Sequence, residues 1–361
     1  MASAIRLPDP RSAFAGRRIL LTGHTGFKGS WLTRWLLDMG AEVTGLALEP
    51  DSSPALFAEM LLAHHMDSRI GDIRDSERVA RVFAEVRPEV VFHLAAQPAV
   101  LRSYAEPRYT FDTNVMGTVN VLEAVRSSTE TRAVVNVTTD KVYENPETGE
   151  AFVEESILGG RDPYSASKAC SEIVSASYRR SFLSDGGAAI ATARSGNVIG
   201  GGDWSNDRII PDVVRALAVG EPVRIRRPET IRPWQHVLEP LAGYLSLAAA
   251  LLERGQEFAD AFNFGPEPED VHTVRELVEC ALGAWGAGEW DVPDSGEAPY
   301  EAGMLVLDIA KAKRELGWRP VWDFQTAVER TVTWYQRVGE GESPTDVTRD
   351  DLAAYTAAMG A

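Results

Sequence analysis

The chain has 361 residues and a formal net charge of −17, the balance of 53 acidic and 36 basic residues. Such a surface repels nucleic acids and anionic membranes, so the composition argues against a nucleic-acid-binding protein and against a membrane partner. Hydrophobic residues make up 44% of the chain, which is enough for a large globular core.

Targeting and metal-binding patterns are weak in this sequence. The N-terminal residues lack an apolar signal core, and the longest apolar run, 241–252, is too short to span a bilayer. Cys170 and Cys280 have neither CxxC nor metal-ligand spacing, so we expect reduced thiols and no metal site. Together these features predict a cytoplasmic protein.

From residue 17 onward, short β-rich runs alternate with segments of helical periodicity. The pattern predicts strands over 18–22, 42–48, 69–70, 90–94, 133–137 and 189–194. Helices are predicted after the first strand as far as Gly40, from Asp75 to about Val86, over 108–126 and over 164–180. This alternation is typical of βαβ units, and it predicts an α/β protein with a doubly wound, mainly parallel sheet.

The first predicted strand runs through a glycine-rich turn directly into a helix. Gly23, Gly26 and Gly29 in TGHTGFKG permit a tight turn and close approach of the backbone to a pyrophosphate, which the amides of the helix N-terminus would bind. A glycine triplet alone is weak evidence, but its position between a buried strand and an amphipathic helix predicts a Rossmann-type dinucleotide site.

Two acidic residues are candidates for the adenosine end of that site. Glu49 has the spacing from the glycines that is typical of a ribose-binding acid, and Asp72 follows the third strand, where it either reaches the adenine or caps the next helix. Because no arginine stands at the end of the second strand to meet a 2′-phosphate, NAD is favoured over NADP.

Beyond about residue 200 the predicted elements become shorter, and glycines and prolines separate them. We therefore predict an N-terminal tail over 1–16, an NAD-binding Rossmann domain over 17–200 and a smaller α/β substrate lobe over 201–338, with some of its segments returning to the first domain. Residues 339–361 are expected to form a loosely attached tail with one short helix.

Two motifs suggest redox and proton-transfer chemistry. Tyr164 and Lys168 are four residues apart on a helix, where a lysine ammonium lowers the pKa of a neighbouring phenol and makes it a usable base. Thr139, Asp140 and Lys141 directly follow the fifth strand, and the carboxyl ends of parallel strands face the ligand crevice. A hydroxyl, an acid and an amine at this point suit hydrogen bonding and proton transfer.

The sequence resembles the CDP-glucose 4,6-dehydratases, a group of extended short-chain dehydrogenases/reductases. The resemblance covers roughly residues 17 to 335 and is carried by TGHTGFKG, GDIRD, VFHLAAQP, TNVMGT, TTDKVYEN, DPYSASK, RSGNVIGGGDW, IRPWQHVLEPLAGY, NFGP and LGWRP. The Asp140-Lys141 pair also separates this group from dTDP-glucose dehydratases, which carry Asp-Glu there.

The resemblance implies an NAD-dependent dehydration of a nucleoside-diphosphate glucose, with CDP-glucose as the expected substrate. Tyr164, assisted by Thr139, would remove the proton of the C4 hydroxyl while hydride passes to NAD. Lys141 would then remove the C5 proton, Asp140 would protonate the departing C6 hydroxyl, and the hydride would return to C6.

Binding residues are implied by the same resemblance. For NAD they are Gly23, Thr25, Gly26, Phe27, Gly29, Asp72, Ile73, Ala95, Ala96, Asn114, Tyr164 and Lys168. For the nucleotide sugar they are Gln97, Asn197, Arg208, Arg232, Tyr300 and Glu301. Trp204 and Trp234 fit either a sugar pocket or the core. A homodimer formed through the helices near 108–126 and 164–180 is also expected.

Two departures and two alternatives remain. The family tends to have His-Glu-Ala-His where this chain has Tyr300-Glu301-Ala302-Gly303, and a cysteine where it has Val142. The first departure leaves the sugar and the nucleobase open. A nucleotide-sugar 4-epimerase or reductase needs Tyr164 and Lys168 but not Asp140-Lys141, and a catalytically silent NAD-binding scaffold needs none of these residues.

Overall fold

A computed structural model describes residues 10–184, 186–206, 208–293 and 304–360 of the chain. The strands are β1 (Arg18–Thr22), β2 (Glu42–Ala47), β3 (Asp67–Ile70), β4 (Val90–His93), β5 (Ala133–Val137), β6 (Ala189–Ser195), β7 (Val198–Ile199), β8 (Val223–Arg224), β9 (Ile231–Arg232), β10 (Gln235–His236), β11 (Ala261–Phe264), β12 (His272–Thr273) and β13 (Trp290–Asp291). The helices are α1 (Pro10–Phe14), α2 (Phe27–Asp38), α3 (Leu56–Glu59), α4 (Ser76–Val86), α5 (Val100–Ala105), α6 (Pro107–Phe111), α7 (Gly117–Ser127), α8 (Pro163–Phe182), α9 (Ile209–Val219), α10 (Leu238–Arg254), α11 (Val274–Trp285), α12 (Phe324–Gly339) and α13 (Pro344–Met359).

The central sheet has seven strands in the order β11-β6-β5-β4-β1-β2-β3. Every neighbouring pair in it is parallel. The order reverses direction at β1, which pairs with β2 on one side and with β4 on the other. Ligands of such sheets bind at the carboxyl ends of the strands beside this switch point, so the topology itself places the site after β1 and β4.

Helices cover both faces of the sheet because successive residues of its strands point in opposite directions. Ile19 and Leu21 of β1 lie in a large apolar cluster with Trp31 and Leu36 of α2, whereas Leu20 lies in a second cluster with side chains of α4 and α7. All the strand residues from Val90 to Phe92 are fully buried. The predicted doubly wound α/β fold is therefore confirmed.

The strand β11 was not specified by the sequence pattern. Ala261–Phe264 pairs with β6 and becomes an edge of the sheet, although it comes from the second half of the chain. The other short strands form three two-stranded sheets, β10-β7, β12-β9 and β13-β8. Residues of β7, β8, β9, α9 and the start of α11 border the main cleft of the molecule.

The structure corrects the predictions for the two ends of the chain. Within the predicted N-terminal tail, residues 10–14 form α1, and Phe14 is fully buried against Phe92 with ring centroids 6.2 Å apart. The predicted loose C-terminal tail instead contains the 16-residue helix α13. Tyr355 of this helix is fully buried and donates a hydrogen bond to Glu239 Oε2 (2.6 Å). An apolar stripe on α13 packs on the core, which fixes this segment.

None of the helices in the described part of the chain combines the length and the apolar character needed to cross a membrane.

Candidate active site

The glycine loop joins β1 to α2 at the switch point of the sheet. Gly23 has a φ of +80°, and its amide donates to the carbonyl of Leu46 (2.9 Å). A Cβ at Gly23 would lie 2.7 Å from the amide nitrogen of Ala95, and a Cβ at Gly29 would collide with the carbonyl oxygen of Gly23. A Cβ at Gly26 would meet nothing closer than 3.5 Å, because Gly26 faces the open cleft. Gly23 and Gly29 are therefore required by the close packing of the loop, whereas the absence of a side chain at Gly26 keeps the cleft open.

The catalytic helix α8 begins at a fixed point in the sequence DPYSASK. Asp162 caps it by accepting a hydrogen bond from the amide of Ser165 (2.9 Å), and Pro163 occupies the first helical position. Tyr164 and Lys168 consequently lie one turn apart, and both side chains are buried. The ammonium of Lys168 donates to the carbonyl of Val137 at the end of β5 (3.0 Å).

Thr139, Asp140 and Lys141 follow β5 in a short 3-10 turn. The Thr139 hydroxyl donates to Asp140 Oδ1 (3.0 Å), and the amide of Lys141 donates to Thr139 Oγ1 (3.4 Å). The side chain of Thr139 also lies beside the phenol of Tyr164 and acts to lower its pKa. The two motifs that lie about 25 residues apart in the sequence therefore meet in one group of side chains.

Burial dominates the electrostatics of the Tyr164–Lys168 pair. It raises the pKa of Tyr164 to about 12, although the neighbouring side chain of Thr139 and the charge of Arg208 act in the opposite direction. It also lowers the pKa of Lys168 to about 8 against the opposing charge of Glu172. The ammonium of Lys168 binds the Val137 carbonyl. The role expected of Lys168, to make Tyr164 a base near neutral pH, stays a prediction.

Asp140 presents an unused oxygen to the site. Its side chain is buried, and Oδ2 has no hydrogen-bond partner among the described residues. A Cβ at Gly196 would lie only 2.9 Å from this oxygen. A buried carboxyl oxygen without a partner is costly, so its presence points to a group that a bound ligand supplies.

One cleft of about 610 Å³ collects almost all of the predicted residues. The residues of the catalytic set that line it are Thr139, Asp140, Lys141, Tyr164 and Lys168. The predicted cofactor residues that line it are Gly23, Thr25, Gly26, Phe27, Gly29, Asp72, Ile73, Ala95 and Ala96. The predicted substrate residues that line it are Gln97, Asn197, Arg208 and Arg232. Trp234 also lines it, whereas Trp204 packs on Tyr335 and donates to Glu59 (3.0 Å).

Asn114 is not among the residues that line the cleft. It lies one layer behind, where its amide donates to the carbonyl of Gln97 (3.1 Å) and to Ser167 Oγ (2.9 Å). Its side chain thus supports the residues that line the cleft, and its direct contact with the cofactor stays a prediction. Gln97 is itself held by Thr110 (2.9 Å) and by the amide of Ala99 (2.6 Å). Tyr300 and Glu301 lie outside the described residues.

Asp72 combines the two interpretations that its position left open. It lines the cleft, but its carboxylate also accepts hydrogen bonds from the amide (2.8 Å) and the guanidinium (2.9 Å) of Arg74. Burial alone would raise the pKa of Asp72, but these bonds outweigh it and lower the pKa. The helix cap itself is Asp75, which accepts from the amide of Arg78 (2.9 Å).

The opposite end of the cleft is lined by arginines. Arg208 and Arg232 were predicted, and Arg224, Arg226 and Arg227 lie on the same wall. The sequence Arg224-Ile225-Arg226-Arg227 could have indicated these three residues, because three cations within four residues are unusual in so acidic a chain. This region provides the local basic site that a phosphate-bearing ligand requires in a protein of net charge −17.

Lys28 is a cleft residue that the motif analysis overlooked. Its ammonium donates to Ser195 Oγ (3.0 Å) and to Tyr244 Oη (3.3 Å). Burial lowers its pKa to about 7, and the charges of Arg208 and Lys168 act in the same direction. The sequence feature that could have identified Lys28 is its position as a charged residue inside the glycine loop TGHTGFKG.

Comparison with known proteins identifies the family. Residues 20–331 match the family described as GDP-mannose 4,6 dehydratase. The chain is also 44% identical over 353 residues to the CDP-glucose 4,6-dehydratase of Salmonella typhimurium, which covers 96% of this chain and 98% of that protein. The chain belongs to the nucleotide-sugar 4,6-dehydratase family.

Solved structures of related enzymes share its fold. The dTDP-glucose 4,6-dehydratase of Streptomyces venezuelae, which was crystallised with NAD, is 29% identical with a TM-score of 0.77 and covers 91% of this chain and 99% of its own. The UDP-glucose 4-epimerase of Thermus thermophilus, also in complex with NAD, is 28% identical with a TM-score of 0.76 and covers 88% and 99%. Because dehydratases and epimerases share this fold, the fold alone does not separate the two reactions.

Substitution of Gly29 by alanine is expected to weaken dinucleotide binding. The new Cβ would collide with the carbonyl oxygen of Gly23 and lie 2.8 Å from the Cα of His24, so the loop must open. We predict an NAD affinity roughly tenfold lower or worse, measured by calorimetric titration. Gly283→Ala is the matched control, because a Cβ there meets nothing within 4 Å and the position is exposed on α11. Equal NAD affinity for Gly29→Ala and the unaltered chain would contradict the assignment of the loop.

Proposed function

We propose that this chain is an NAD-dependent 4,6-dehydratase that converts CDP-D-glucose to CDP-4-keto-6-deoxy-D-glucose and water. The observation that carries the proposal is the convergence of Asp140 and Lys141 with Tyr164 and Thr139 in one cleft. A 4-epimerase on the same fold needs the tyrosine and lysine of α8 but no acid–base pair for C5 and C6. The 44% identity to a CDP-glucose 4,6-dehydratase supports the choice of substrate.

The glycine loop and its surroundings fit NAD. The backbone cradle of Gly23, Gly26 and Gly29 leaves room for a pyrophosphate at the N-terminus of α2. Glu49, Asp72 and Ile73 line the adenosine end, and acidic side chains there suit a ribose without a 2′-phosphate. When bound, NAD supplies the hydride acceptor for C4 and the hydride donor for C6, and its positively charged ring favours ionisation of a nearby phenol.

The redox half of the reaction depends on Tyr164. Its phenolate accepts the proton of the C4 hydroxyl, and the neighbouring hydroxyl of Thr139 orients it toward the sugar. The charge of Arg208 lowers the pKa of Tyr164 and so partly offsets the effect of burial. Lys168 in its ammonium form stabilises the phenolate electrostatically.

The dehydration half depends on Lys141 and Asp140. Once C4 is a ketone, the C5 proton is acidic because the resulting carbanion is delocalised into the carbonyl. The amine of half-buried Lys141 removes that proton. Asp140 donates a proton from its carboxyl group to the leaving C6 hydroxyl, for which the unpartnered Oδ2 is the available atom.

The arginine wall binds the diphosphate of the substrate. Arg208 acts electrostatically on both Tyr164 and Lys28, which places its charge within range of the reacting centre. Arg232 is buried at the start of the small β12-β9 sheet, and Asn197 lies on the loop between β6 and β7. A guanidinium suits bidentate phosphate contacts, so the two arginines hold the diphosphate and Asn197 contacts a phosphate or the sugar.

We further infer a cytoplasmic homodimer. Ile173 and Phe182 on α8 are more than half exposed, and Met116 and Phe111 are exposed on the neighbouring helical segment. Exposed apolar side chains on adjacent helices favour burial against a second copy. The described cysteines, Cys170 and Cys280, are free thiols, which suits a reducing compartment.

Incubation with NAD and CDP-glucose in heavy water tests the proposed reaction. Because the C5 proton exchanges with solvent during dehydration, we expect a 4-keto-6-deoxy product with deuterium at C5 and no net NADH, measured by NMR and mass spectrometry. A C4 epimer that retains its 6-hydroxyl would establish the epimerase alternative, and absence of any turnover would support a silent scaffold. Dehydration of only another nucleoside-diphosphate glucose would refute the nucleobase assignment alone.

Lys141→Met separates the two halves of the reaction. Without the C5 base, oxidation at C4 should proceed, so 4-ketoglucose nucleotide and NADH accumulate while formation of the 6-deoxy product falls roughly 100-fold or more. Rapid mixing with NADH absorbance and product analysis gives both quantities. Lys313→Met is the matched control, because Lys313 is exposed and pairs with Glu267. Unimpaired product formation by Lys141→Met would remove Lys141 from the mechanism.

A further inference from the structure

A buried ion pair lies behind the catalytic residues, and none of the reaction steps above uses it. Glu172 on α8 and Arg194 on β6 are each about 3% exposed. The guanidinium binds the carboxylate in a bidentate manner, with Nε to Oε1 and Nη2 to Oε2 both at 3.0 Å. Glu172 lies one helical turn beyond Lys168 and two turns beyond Tyr164. The helix therefore presents phenol, ammonium and carboxylate on successive turns of one face.

The carboxylate of Glu172 also holds the strand end that precedes the catalytic turn. Thr138 Oγ1 donates to its Oε1 (2.5 Å), and Thr192 Oγ1 donates to its Oε2 (2.6 Å). Thr138 immediately precedes Thr139. A displacement of Thr138 therefore moves the Thr139 hydroxyl that lies beside the phenol of Tyr164.

Arg194 extends the same network past the catalytic turn. Its Nη1 donates to the phenol oxygen of Tyr143 (2.8 Å) and to the carbonyl of Glu154 (2.9 Å). Tyr143 is two residues beyond Lys141, and its hydroxyl donates to Asn263 Oδ1 on β11 (2.7 Å). The ion pair thus holds Thr138 and Tyr143, which lie before and after the segment 139–141.

Charge as well as position connects Glu172 to the reaction. Burial lowers the pKa of Lys168 to about 8, and the charge of Glu172 is what opposes it. The other titratable groups facing Lys168 do not supply a negative charge, because Lys28 is basic and the buried His93 has its pKa lowered to about 3. Glu172 in turn faces Arg194 and Arg179.

We infer that Glu172 is a positioning residue of the reaction, whose carboxylate, fixed by Arg194 one helical turn from Lys168, anchors Thr138 and so aligns Thr139 with Tyr164. The inference rests on the proposed function for its meaning in catalysis, whereas the effect of Glu172 on Lys168 can be tested without cofactor or sugar. The position of the ion pair supports this role. Glu172 lies one helical turn from Lys168, and it accepts a hydrogen bond from Thr138, which directly precedes Thr139. Buried ion pairs are in general weak contributors to stability.

The sign of the expected effect follows from the charges. In Glu172→Gln the negative charge is lost and the cation of Arg194 remains, so the ammonium of Lys168 becomes less stable. Its pKa falls further below 8, and at pH 7 to 8 a growing fraction of Lys168 is neutral. Activity that requires the ammonium is then lost at lower pH than in the unaltered chain, which moves the alkaline limb of the rate profile toward neutral pH.

The direct test is an NMR titration of Lys168 itself. The chain contains five lysines, at positions 28, 141, 168, 311 and 313, so selective labelling of the lysine side chains gives a spectrum that Lys168→Met can assign. We expect the pKa of Lys168 in Glu172→Gln to be lower by about one unit, and in Glu172→Asp to stay close to that of the unaltered chain because the charge is kept. Glu239→Gln is the control, since it alters an equally buried glutamate on α10 that does not contact the catalytic segments.

A kinetic readout completes the test. The rate of NADH formation on mixing with CDP-glucose should fall roughly tenfold in Glu172→Gln at pH 7.5, with the KM little changed and the alkaline limb shifted as described. If Glu172→Gln does not fold, Glu172→Gln combined with Arg194→Met leaves no unpaired buried charge, and the Lys168 pKa should fall there as well.

The outcomes of the two proposals can be told apart. A folded Glu172→Gln variant with an unchanged Lys168 pKa and an unchanged rate profile would overturn the inference. Failure of the unaltered chain to dehydrate CDP-glucose would instead refute the proposed function, and the titration of Lys168, which needs neither cofactor nor sugar, would still decide the role of Glu172.

Discussion

The hydrogen bond from the ammonium of Lys168 to the carbonyl of Val137 fixes the geometry on which the site depends. It ties the first turns of α8 to the end of β5, so that the phenol of Tyr164 meets the hydroxyl of Thr139. The cap formed by Asp162 sets where α8 begins, and the buried strand Ala133–Val137 sets where the catalytic turn begins. A shift of one residue in either element would separate the phenol from the hydroxyl.

The charge distribution of the cleft differs from that of the whole chain. The protein is strongly acidic, yet Arg208, Arg224, Arg226, Arg227 and Arg232 line one wall of the cleft. An acidic surface disfavours polyanions in general, whereas a concave basic wall attracts a small ligand with a diphosphate. The placement of charge in the cleft therefore favours a small phosphate-bearing ligand, although the net charge of the chain is negative.

The sequence predicts best those features that depend on local pattern. Most of the predicted strands are largely apolar runs bounded by polar turns, whereas β3 (Asp67–Ile70) is polar and partly exposed. The glycine loop and helix α8 each follow from neighbouring residues. The strand Ala261–Phe264 could not be assigned to the sheet because it is only four residues long and pairs with a strand far away in the chain. The docking of α13 depends on Tyr355 reaching Glu239, a contact across 116 positions that no local pattern contains.

The pKa values of the site residues were harder to predict than which residues line the cleft. The tyrosine–lysine spacing correctly indicated that both side chains share one helical face, but the rise in the pKa of Tyr164 results from burial, which is a property of the tertiary structure. The same is true of Asn114, whose side chain turns toward Gln97 and Ser167 and away from the cleft. Lys28 and the arginines 224, 226 and 227 were visible in the sequence, yet only the fold shows that they border the same cavity as the catalytic residues.

The central claim is that hydride leaves C4 and returns to C6 of the same sugar while water is lost between C5 and C6. CDP-glucose that carries deuterium at C4 tests this most directly, with the position of the label in the product read by NMR. The account predicts that deuterium is recovered at C6 of the 4-keto-6-deoxy product, within the same molecule even when unlabelled substrate is also present. Deuterium that remains at C4, or that is shared between labelled and unlabelled molecules, would contradict it.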